Sequence, residues 1–177
     1  MGDLLKAREF LLSEELFSIR DKVRVMDINK NPLGIFAAKL FVVGGRAYRL
    51  YDVADESTTI LTVKEVAIAL RSTYTFYSGE KKEENEIGTL KQELVSFGPS
   101  FWFEDPSGNT LFTMRGDLFG LDYEIFKEND RVAEINRELY HITDTYGVRI
   151  DPGLDDETAM VVLGIVIMLH HEKEERH

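Results

Sequence analysis

The sequence predicts a mainly β fold, a closed antiparallel barrel of about twelve strands around a buried C-terminal α-helix. Three observations predict this fold class. They are a repeated pattern of alternating apolar residues, turn-forming sequences between the repeats, and a charge-free stretch, TAMVVLGIVIML, at residues 158–169.

Short segments with an apolar residue at every second position recur along the chain. They read VRVMD, YRLYD, YTFYS, FWFED, YEIFK and YGVRID, and they begin at residues 23, 48, 74, 101, 123 and 146. Each starts with an apolar or aromatic residue, and another apolar residue follows two positions later. A period of two is typical of a strand with one buried face. The third positions are Val25, Leu50, Phe76, Phe103, Ile125 and Val148.

A polar turn and a second apolar segment follow each of the first five repeats. The turn sequences DINKNPLG, DVADEST, SGEKKEENEIG, EDPSGN and KENDR are rich in residues that tolerate turn geometry. The repeats therefore predict successive hairpins. With REFLLSEELFSI at residues 8–19 and the last repeat, the count is about eleven or twelve strands. So many strands either split into a sandwich or close into a barrel, and closure removes exposed edges but leaves a lumen.

The charge-free stretch predicts a helix that fills such a lumen. Spanning a membrane as a helix needs about 20 residues, so we predict no transmembrane segment. Acidic residues precede the stretch and basic ones follow it, as the helix dipole favours. A helix from Asp155 to His171 is about 25 Å long, comparable with the height of a barrel, and Gly164 would let a wall approach closely. Its β-branched residues leave a strand as an alternative, and membrane insertion is another.

Length and composition suit a soluble protein with one domain. The chain has 177 residues, of which 44% are apolar and 30% charged, and this length can bury a substantial core. We predict a single domain over residues 1–177, with strands at about 8–151 and the central helix at about 155–171.

The net charge argues against two classes of partner. It is −11, from 21 basic and 32 acidic side chains, whereas nucleic-acid binding draws most of its affinity from neutralised phosphates. Anionic membrane surfaces repel an acidic domain for the same reason. The basic residues are dispersed. In EKKEENE, at residues 80–86, glutamates flank the lysines, so we expect a solvated loop or edge. We predict no nucleic-acid partner.

The N-terminal residues and the absence of cysteine indicate a cytoplasmic protein. MGDLLKAREFLLSEEL mixes charges throughout and lacks the basic and apolar regions of a signal peptide. The chain has no cysteine, which excludes disulfides, thiolate metal sites and cysteine nucleophiles.

Two acidic motifs resemble cation sites. DINKN, at residues 27–31, opens like a calcium-binding loop, but Pro32 and Ala38 stand where such a loop needs Gly and Glu. A hairpin turn is therefore favoured. Four acidic residues near the predicted helix start could hold a divalent cation, but a solvated helix start stabilised by the dipole is favoured. They are Asp151, Asp155, Asp156 and Glu157.

The histidines and glycine-containing sequences do not predict a site either. A helix turns the neighbours His170 and His171 about 100° apart, so they do not readily share a metal. His141 has no second ligand near it in sequence, and a hydrogen-bonded or solvated histidine is favoured. GPSFW, at residues 98–102, lacks the spacing of a nucleophile elbow, and VVGGR, at 42–46, is expected to be a tight hairpin connection. We predict no catalytic, cofactor-binding or metal-binding residues.

Three segments resemble the LURP-one-related family, which belongs with the tubby C-terminal domain and the phospholipid scramblases. They are SEELFSIRDKVRVMDINKNPLG at 13–34, GDLFGLDYEIF at 116–126 and DTYGVRIDPGLDDETAMVVLGIVIML at 144–169. The resemblance runs through most of residues 8–171, and residues 55–95 match only in the spacing of the predicted hairpins. It implies a closed barrel of about twelve strands wrapped around a central C-terminal helix.

The resemblance also implies no enzyme active site, because LURP-one-related proteins have no established catalytic residues. Tubby domains bind phosphoinositide headgroups through a basic pocket, and scramblases are associated with membranes and calcium. The sequence has no clustered lysines and arginines matching such a pocket. We predict a non-catalytic binding or scaffold domain without a cofactor, whose partner is an unknown protein, small molecule or lipid. The alternatives are a membrane-surface phospholipid- or phosphoinositide-binding domain and a carrier with an apolar ligand inside the barrel.

Overall fold

The computed structural model describes residues 3–14, 22–39, 46–66, 69–93 and 100–175. Twelve strands and one long helix follow one another along these residues, and a 3-10 turn at Glu83–Asn85 precedes β7. The strands are β1 (Glu9–Ser13), β2 (Lys22–Met26), β3 (Pro32–Lys39), β4 (Ala47–Asp52), β5 (Leu61–Glu65), β6 (Thr73–Ser78), β7 (Glu86–Gln92), β8 (Phe101–Glu104), β9 (Thr110–Asp117), β10 (Asp122–Lys127), β11 (Asp130–Asn136) and β12 (Thr145–Ile150), and the helix is α1 (Asp156–Glu175).

The strands form a closed antiparallel barrel. Each strand pairs with the strands before and after it in the chain, and β1 pairs with β12 to close the cylinder. In the closing pair Glu9 lies opposite Arg149, and Ser13 lies opposite Thr145. The predicted fold class, a closed antiparallel barrel with one C-terminal helix, is confirmed.

The repeated segments form every second strand, and their alternation directs side chains into the barrel. They lie in β2, β4, β6, β8, β10 and β12. Each third position has an exposure of 0%, and each first position has an exposure of 3% or less. The predicted period of two is therefore confirmed. In β2, β6, β8 and β10 the pairing register shifts directly after the third position, an irregularity that the repeat did not predict. These shifts follow Val25, Phe76, Phe103 and Ile125.

The second apolar segments form β3, β5, β7, β9 and β11. Parts of several predicted elements lie outside the described residues. They are the continuation of the first strand at 15–19, residues 40–45, which include most of VVGGR, residues 67–68 in TILTVKEVAIAL, the apolar segment after DVADEST, and residues 94–99, which include the start of GPSFW.

Two of the predicted turns have the same aspartate geometry. Oδ1 of Asp27 accepts hydrogen bonds from the backbone N–H groups of Asn29 and Asn31, at 2.8 and 2.9 Å. Oδ1 of Asp105 accepts the equivalent two hydrogen bonds, both at 2.9 Å, between β8 and β9. Such bonds hold a tight turn without a cation, and the hairpin-turn interpretation of DINKN is confirmed. The EKKEENE segment is largely exposed, as predicted.

Helix α1 lies inside the barrel. Every apolar side chain from Ala159 to Leu169 has an exposure of 2% or less. A Cβ atom at Gly164 would lie 2.7 Å from Leu61 Cδ2 and 3.0 Å from Phe76 Cε2, so the wall approaches where the sequence predicted. The buried helix, and not the strand alternative, is confirmed. Within the described residues, no helix combines the length and hydropathy that crossing a membrane requires.

The two ends of the barrel are named after the helix end that each surrounds. The N-terminal rim consists of the connections that follow the even-numbered strands, at 27–31, 53–60, 79–85, 105–109, 128–129 and 151–155. The C-terminal rim is the opposite end, where the first residues of even-numbered strands surround the last turns of α1. The helix continues past His171, its predicted end, to Glu175.

Candidate functional site

A buried polar cluster lies where α1 reaches the C-terminal rim. Three tyrosines at first positions of the repeat meet three consecutive helix residues, and each of the six is exposed by 6% or less. The alternation that buries apolar side chains along the strands therefore also directs hydroxyl groups at the helix end. We call this the tyrosine–histidine cluster; its members are Tyr48, Tyr74, Tyr146, His170, His171 and Glu172.

The two histidines bond to different tyrosines. Nδ1 of His170 lies 3.0 Å from the hydroxyl of Tyr146 in β12. Nε2 of His171 lies 3.3 Å from the hydroxyl of Tyr48 in β4. Each imidazole also meets its tyrosine ring edge to face, with centroid distances of 5.1 and 5.5 Å. The histidines thus face different parts of the wall, as the helical turn between neighbours predicted.

The third pair in the cluster joins a phenol to a carboxylate. Tyr74 donates its hydroxyl proton to Oε1 of Glu172. Burial, followed by the charge of Glu172, raises the pKa of Tyr74 far above its usual value. Tyr74 therefore stays protonated and acts as a donor that satisfies a buried carboxylate.

Burial shifts the pKa values of His170 and Tyr146 in opposite directions. Burial lowers the pKa of His170 to about 3, and the charge of Lys173 acts in the same direction. Burial also raises the pKa of Tyr146. General acid–base catalysis works best with a pKa near the operating pH, and both shifts move these groups away from neutral pH.

The remaining candidates for metal ligands are separated. The side chain of His141, between β11 and β12, is 82% exposed and lies 3.6 Å from the carboxylate of Glu138, so the solvated interpretation is confirmed. In the part of the chain that the structure describes, no three His, Asp or Glu side chains are placed to hold a metal ion.

The acidic residues near the helix start have separate roles. Asp156 forms ion pairs with Lys6 at 2.6 Å and with Arg8 at 2.7 Å. The hydrogen bonds from these two side chains lower the pKa of Asp156. Oδ1 of Asp151 instead accepts a hydrogen bond from the N–H group of Gly153, at 2.9 Å, in the turn before the helix. α1 does begin at Asp156, as this cluster predicted, but Asp156 is ion-paired and not solvated.

Two grooves open at the N-terminal rim beside the start of α1. The larger has a volume of about 310 Å³, and Thr58 and Met160 are among its lining residues. The smaller has a volume of about 90 Å³, and Val161 is among its lining residues. Ile87 and Glu157 line both grooves. We call the pair the rim grooves.

Two further grooves lie on the outside of β1, β11 and β12, where this part of the wall meets the N-terminal rim at 27–28 and 151–152, with volumes of about 570 and 230 Å³. Arg149 lines both of these wall grooves, Arg8 lines the larger and Arg131 the smaller. Here the fold brings together arginines that are dispersed in the sequence. Each arginine is already paired with carboxylates; the partners are Asp156 for Arg8, Glu9 and Glu134 for Arg149, and Glu124 for Arg131.

The sequence alone did not predict the tyrosines of the cluster or the four grooves. A signal for the tyrosines existed, because aromatic residues recur at the first position of the repeat and a polar helix end lies within the same barrel. The grooves had no comparable signal. The larger rim groove, for example, is lined by Thr58, Ile87 and Glu157, which lie in three distant parts of the chain.

Comparison with known proteins places this architecture in a family. The model of the LURP-one-related family matches residues 8–169. The chain belongs to the LURP-one-related family. An X-ray structure of a protein from Arabidopsis thaliana is similar to this LURP-one-related chain, with a TM-score of 0.61 and 13% sequence identity over 90% of this chain and 88% of the other. At that identity the similarity shows the fold alone. No curated protein matches in sequence.

Proposed function

We propose that this LURP-one-related chain is a non-catalytic binding or scaffold domain. One observation carries the proposal: α1 occupies the barrel interior, and the polar groups at its buried end bond to tyrosines of the wall. The surfaces that this arrangement leaves for a partner are the grooves outside. The helix also fills the space that an apolar ligand would need, which argues against the carrier alternative.

The extent and location of the domain are part of the same proposal. We propose one domain over residues 1–177, in which the helix and the strands share a continuous buried core. We propose the cytoplasm as its location. The chain has no cysteine, so its fold does not depend on an oxidising compartment.

A turnover assay tests the non-catalytic role. Wild-type protein would be incubated with chromogenic esters, phosphomonoesters and glycosides, beside the variants His170→Gln and Glu172→Gln in the tyrosine–histidine cluster. His141→Gln, which changes an exposed histidine, is the matched control, and circular dichroism checks that each variant is folded. We expect no turnover that depends on the cluster. Reproducible turnover that either cluster substitution abolishes, and that His141→Gln retains, would overturn the proposal.

The second candidate function is binding of a phospholipid or phosphoinositide headgroup at a membrane surface. The wall grooves favour it, because Arg8, Arg131 and Arg149 line adjoining grooves, and arginine suits phosphate recognition. The ion pairs of these arginines oppose it, since a phosphate would have to displace the carboxylates that the arginines already contact.

Liposome flotation separates the two functions. Vesicles of neutral lipid, of anionic lipid and with added phosphoinositide would be compared at low and moderate salt, because phosphate contacts weaken as salt rises. Under the leading proposal the protein stays out of the floating fraction. Flotation specific to phosphoinositide, lost in Arg149→Gln and kept in the exposed control Arg24→Gln, would favour lipid binding at the wall grooves.

A further inference from the structure

The rim grooves expose apolar surface next to the start of α1. Leu5, Ile60 and Ile87 line the larger groove, and Leu111 lines the smaller one with Ile87. All four side chains pack against the core but are only partly buried. Partly buried apolar side chains in a concave site are the usual lining of a binding groove.

An exposed carboxylate lies between the two grooves. Glu157 lines both of them and is exposed. Among the described residues no side chain forms an ion pair or hydrogen bond with its carboxylate, whereas its neighbour Asp156 holds both Lys6 and Arg8. Lys127 lines the smaller groove without forming an ion pair to Glu157.

The surroundings of the larger groove are acidic. It lies between the connections at 53–60 and 79–85, which carry more carboxylates than lysines. The charges of these two connections therefore favour a cationic group in the larger groove over an anionic one. The acidic side chains are Asp55, Glu56, Glu80, Glu83 and Glu84, with Glu86 at the start of β7, and the lysines are Lys81 and Lys82.

We propose that the rim grooves bind a segment of a partner protein in which a lysine or arginine lies beside an apolar side chain. The apolar side chain enters the larger groove, against Ile60, Ile87 and Met160, and the cation pairs with Glu157. This inference rests on the proposed binding function and specifies its surface and the chemistry of its partner.

Charge decides against other occupants of the grooves. A second copy of this chain also carries a net charge of −11, so two copies repel each other. An anionic membrane or a nucleic acid is repelled in the same way. The acidic side chains attract a positively charged partner segment, and the apolar grooves fix its position.

Three labelled peptides provide the probe. The first alternates leucine and arginine, the second replaces each arginine with glutamate, and the third replaces each leucine with serine. Binding is measured by fluorescence anisotropy at moderate salt, and methyl NMR signals of Ile60, Ile87 and Met160 report the location. We expect only the leucine–arginine peptide to bind and to shift these three signals.

Two variants test the two parts of the site. Thr58→Trp places a large side chain at an exposed position that lines the larger groove, and we expect affinity to fall by about tenfold or more, as for loss of an anchor residue. Glu157→Gln removes one exposed ion pair, with an expected loss of about threefold. Thr143→Trp, at an exposed position beyond β11, is the matched control and retains wild-type affinity. Thermal unfolding checks that all variants are folded.

The outcomes distinguish this inference from the proposed function. Wild-type affinity in Thr58→Trp, equal binding of the glutamate peptide, or no binding of the leucine–arginine peptide would each overturn the rim-groove assignment. The proposed non-catalytic role is decided separately, by the turnover assay. Peptide binding that shifts methyl signals away from the rim would exclude the grooves while supporting a binding domain.

Discussion

The two ends of α1 differ in how their polar groups are satisfied. At the C-terminal rim, His170, His171 and Glu172 are almost fully buried and bond to tyrosines of three strands. At the N-terminal rim, Asp156 pairs with side chains that precede β1, and Glu157 is exposed beside open grooves. The helix is therefore enclosed at the tyrosine–histidine cluster, which we call its closed end, and accessible at Glu157, which we call its accessible end. Beyond the cluster, Glu174 and Glu175 are exposed.

One end of the helix therefore contributes mainly to stability, and the other leaves surface exposed for a partner. A buried polar group needs a hydrogen-bond partner inside the protein, because an unsatisfied buried donor or acceptor costs about 1–3 kcal/mol. The groups of the tyrosine–histidine cluster are therefore engaged with one another. At the other end, burial is incomplete, so the apolar surface and the carboxylate of Glu157 remain available to a partner.

The largest expected effect comes from a substitution in the middle of α1, between its two ends. Val162→Asp places a carboxylate where the side chain has an exposure of 0%, and burying an unpaired charge costs at least several kcal/mol. We expect the free energy of unfolding to fall by more than about 4 kcal/mol, which leaves the domain unfolded. Circular dichroism and thermal unfolding measure it. Thr158→Asp, one turn earlier and only partly buried, is the control that should fold; near-native stability of Val162→Asp would show that the helix is not core.

Acidification is expected to act on the closed end. The pKa of His170 is lowered from 6.5 to about 3 in the folded protein, chiefly by burial. Well above pH 6.5 the imidazole is neutral in both states and the full stability is present. As pH falls from 6.5 towards 3, the unfolded chain takes up the proton first, so the free energy of unfolding decreases. At about 1.4 kcal/mol per pKa unit, we expect a loss of about 3 kcal/mol by about pH 4.

Denaturant unfolding at a series of pH values measures this loss. The variant His170→Gln should have a flatter pH dependence than the wild type over the same range. His141→Gln removes an exposed histidine and should retain the wild-type dependence. Equal pH profiles for the wild type and His170→Gln would contradict burial of a neutral His170.

Removal of the Tyr74 hydroxyl group tests whether the buried carboxylate of Glu172 depends on this one donor. Tyr74→Phe leaves the buried Glu172 carboxylate without the donor that Tyr74 supplies, and we expect destabilisation of about 2 kcal/mol. The double variant Tyr74→Phe/Glu172→Gln completes a double-mutant cycle that isolates the pair. Tyr77→Phe, on the same strand but partly exposed, is the control with a small effect. A coupling near zero would mean that another group satisfies Glu172.

The smallest expected effects belong to the accessible end. Asp156→Asn weakens ion pairs with Lys6 and with Arg8, whose side chain is 13% exposed. We expect the free energy of unfolding to fall by about 1 kcal/mol. Glu157→Gln removes a carboxylate that forms no ion pair or hydrogen bond with a described side chain, so we expect the free energy of unfolding to change by no more than about 0.5 kcal/mol. Chemical denaturation measures both. A larger cost for Glu157→Gln than for Asp156→Asn would show that Glu157 has a structural role.

Most of the fold was predictable because its signals are local. The alternation in segments such as YRLYD and YTFYS depends on neighbouring residues only, and it correctly identified both the strands and their buried faces. The candidate sites were much less predictable. His170 and His171 were recognised as neighbours on a helix, but their partners Tyr146 and Tyr48 lie on strands that only barrel closure brings to them.

By itself the sequence determined the strand periodicity, the hairpin turns at Asp27 and Asp105, and a helix apolar on every side. These features follow from the spacing of apolar residues and from the bonding capacity of single side chains. Only the tertiary structure decided the contact of Arg8 with Asp156, the tyrosine partners and the grooves around Glu157. Those contacts depend on the register between strands, which shifts within four of the repeats, and on the pairing of β1 with β12. A period of two specifies which face of a strand is buried, but not which residue it meets across the barrel.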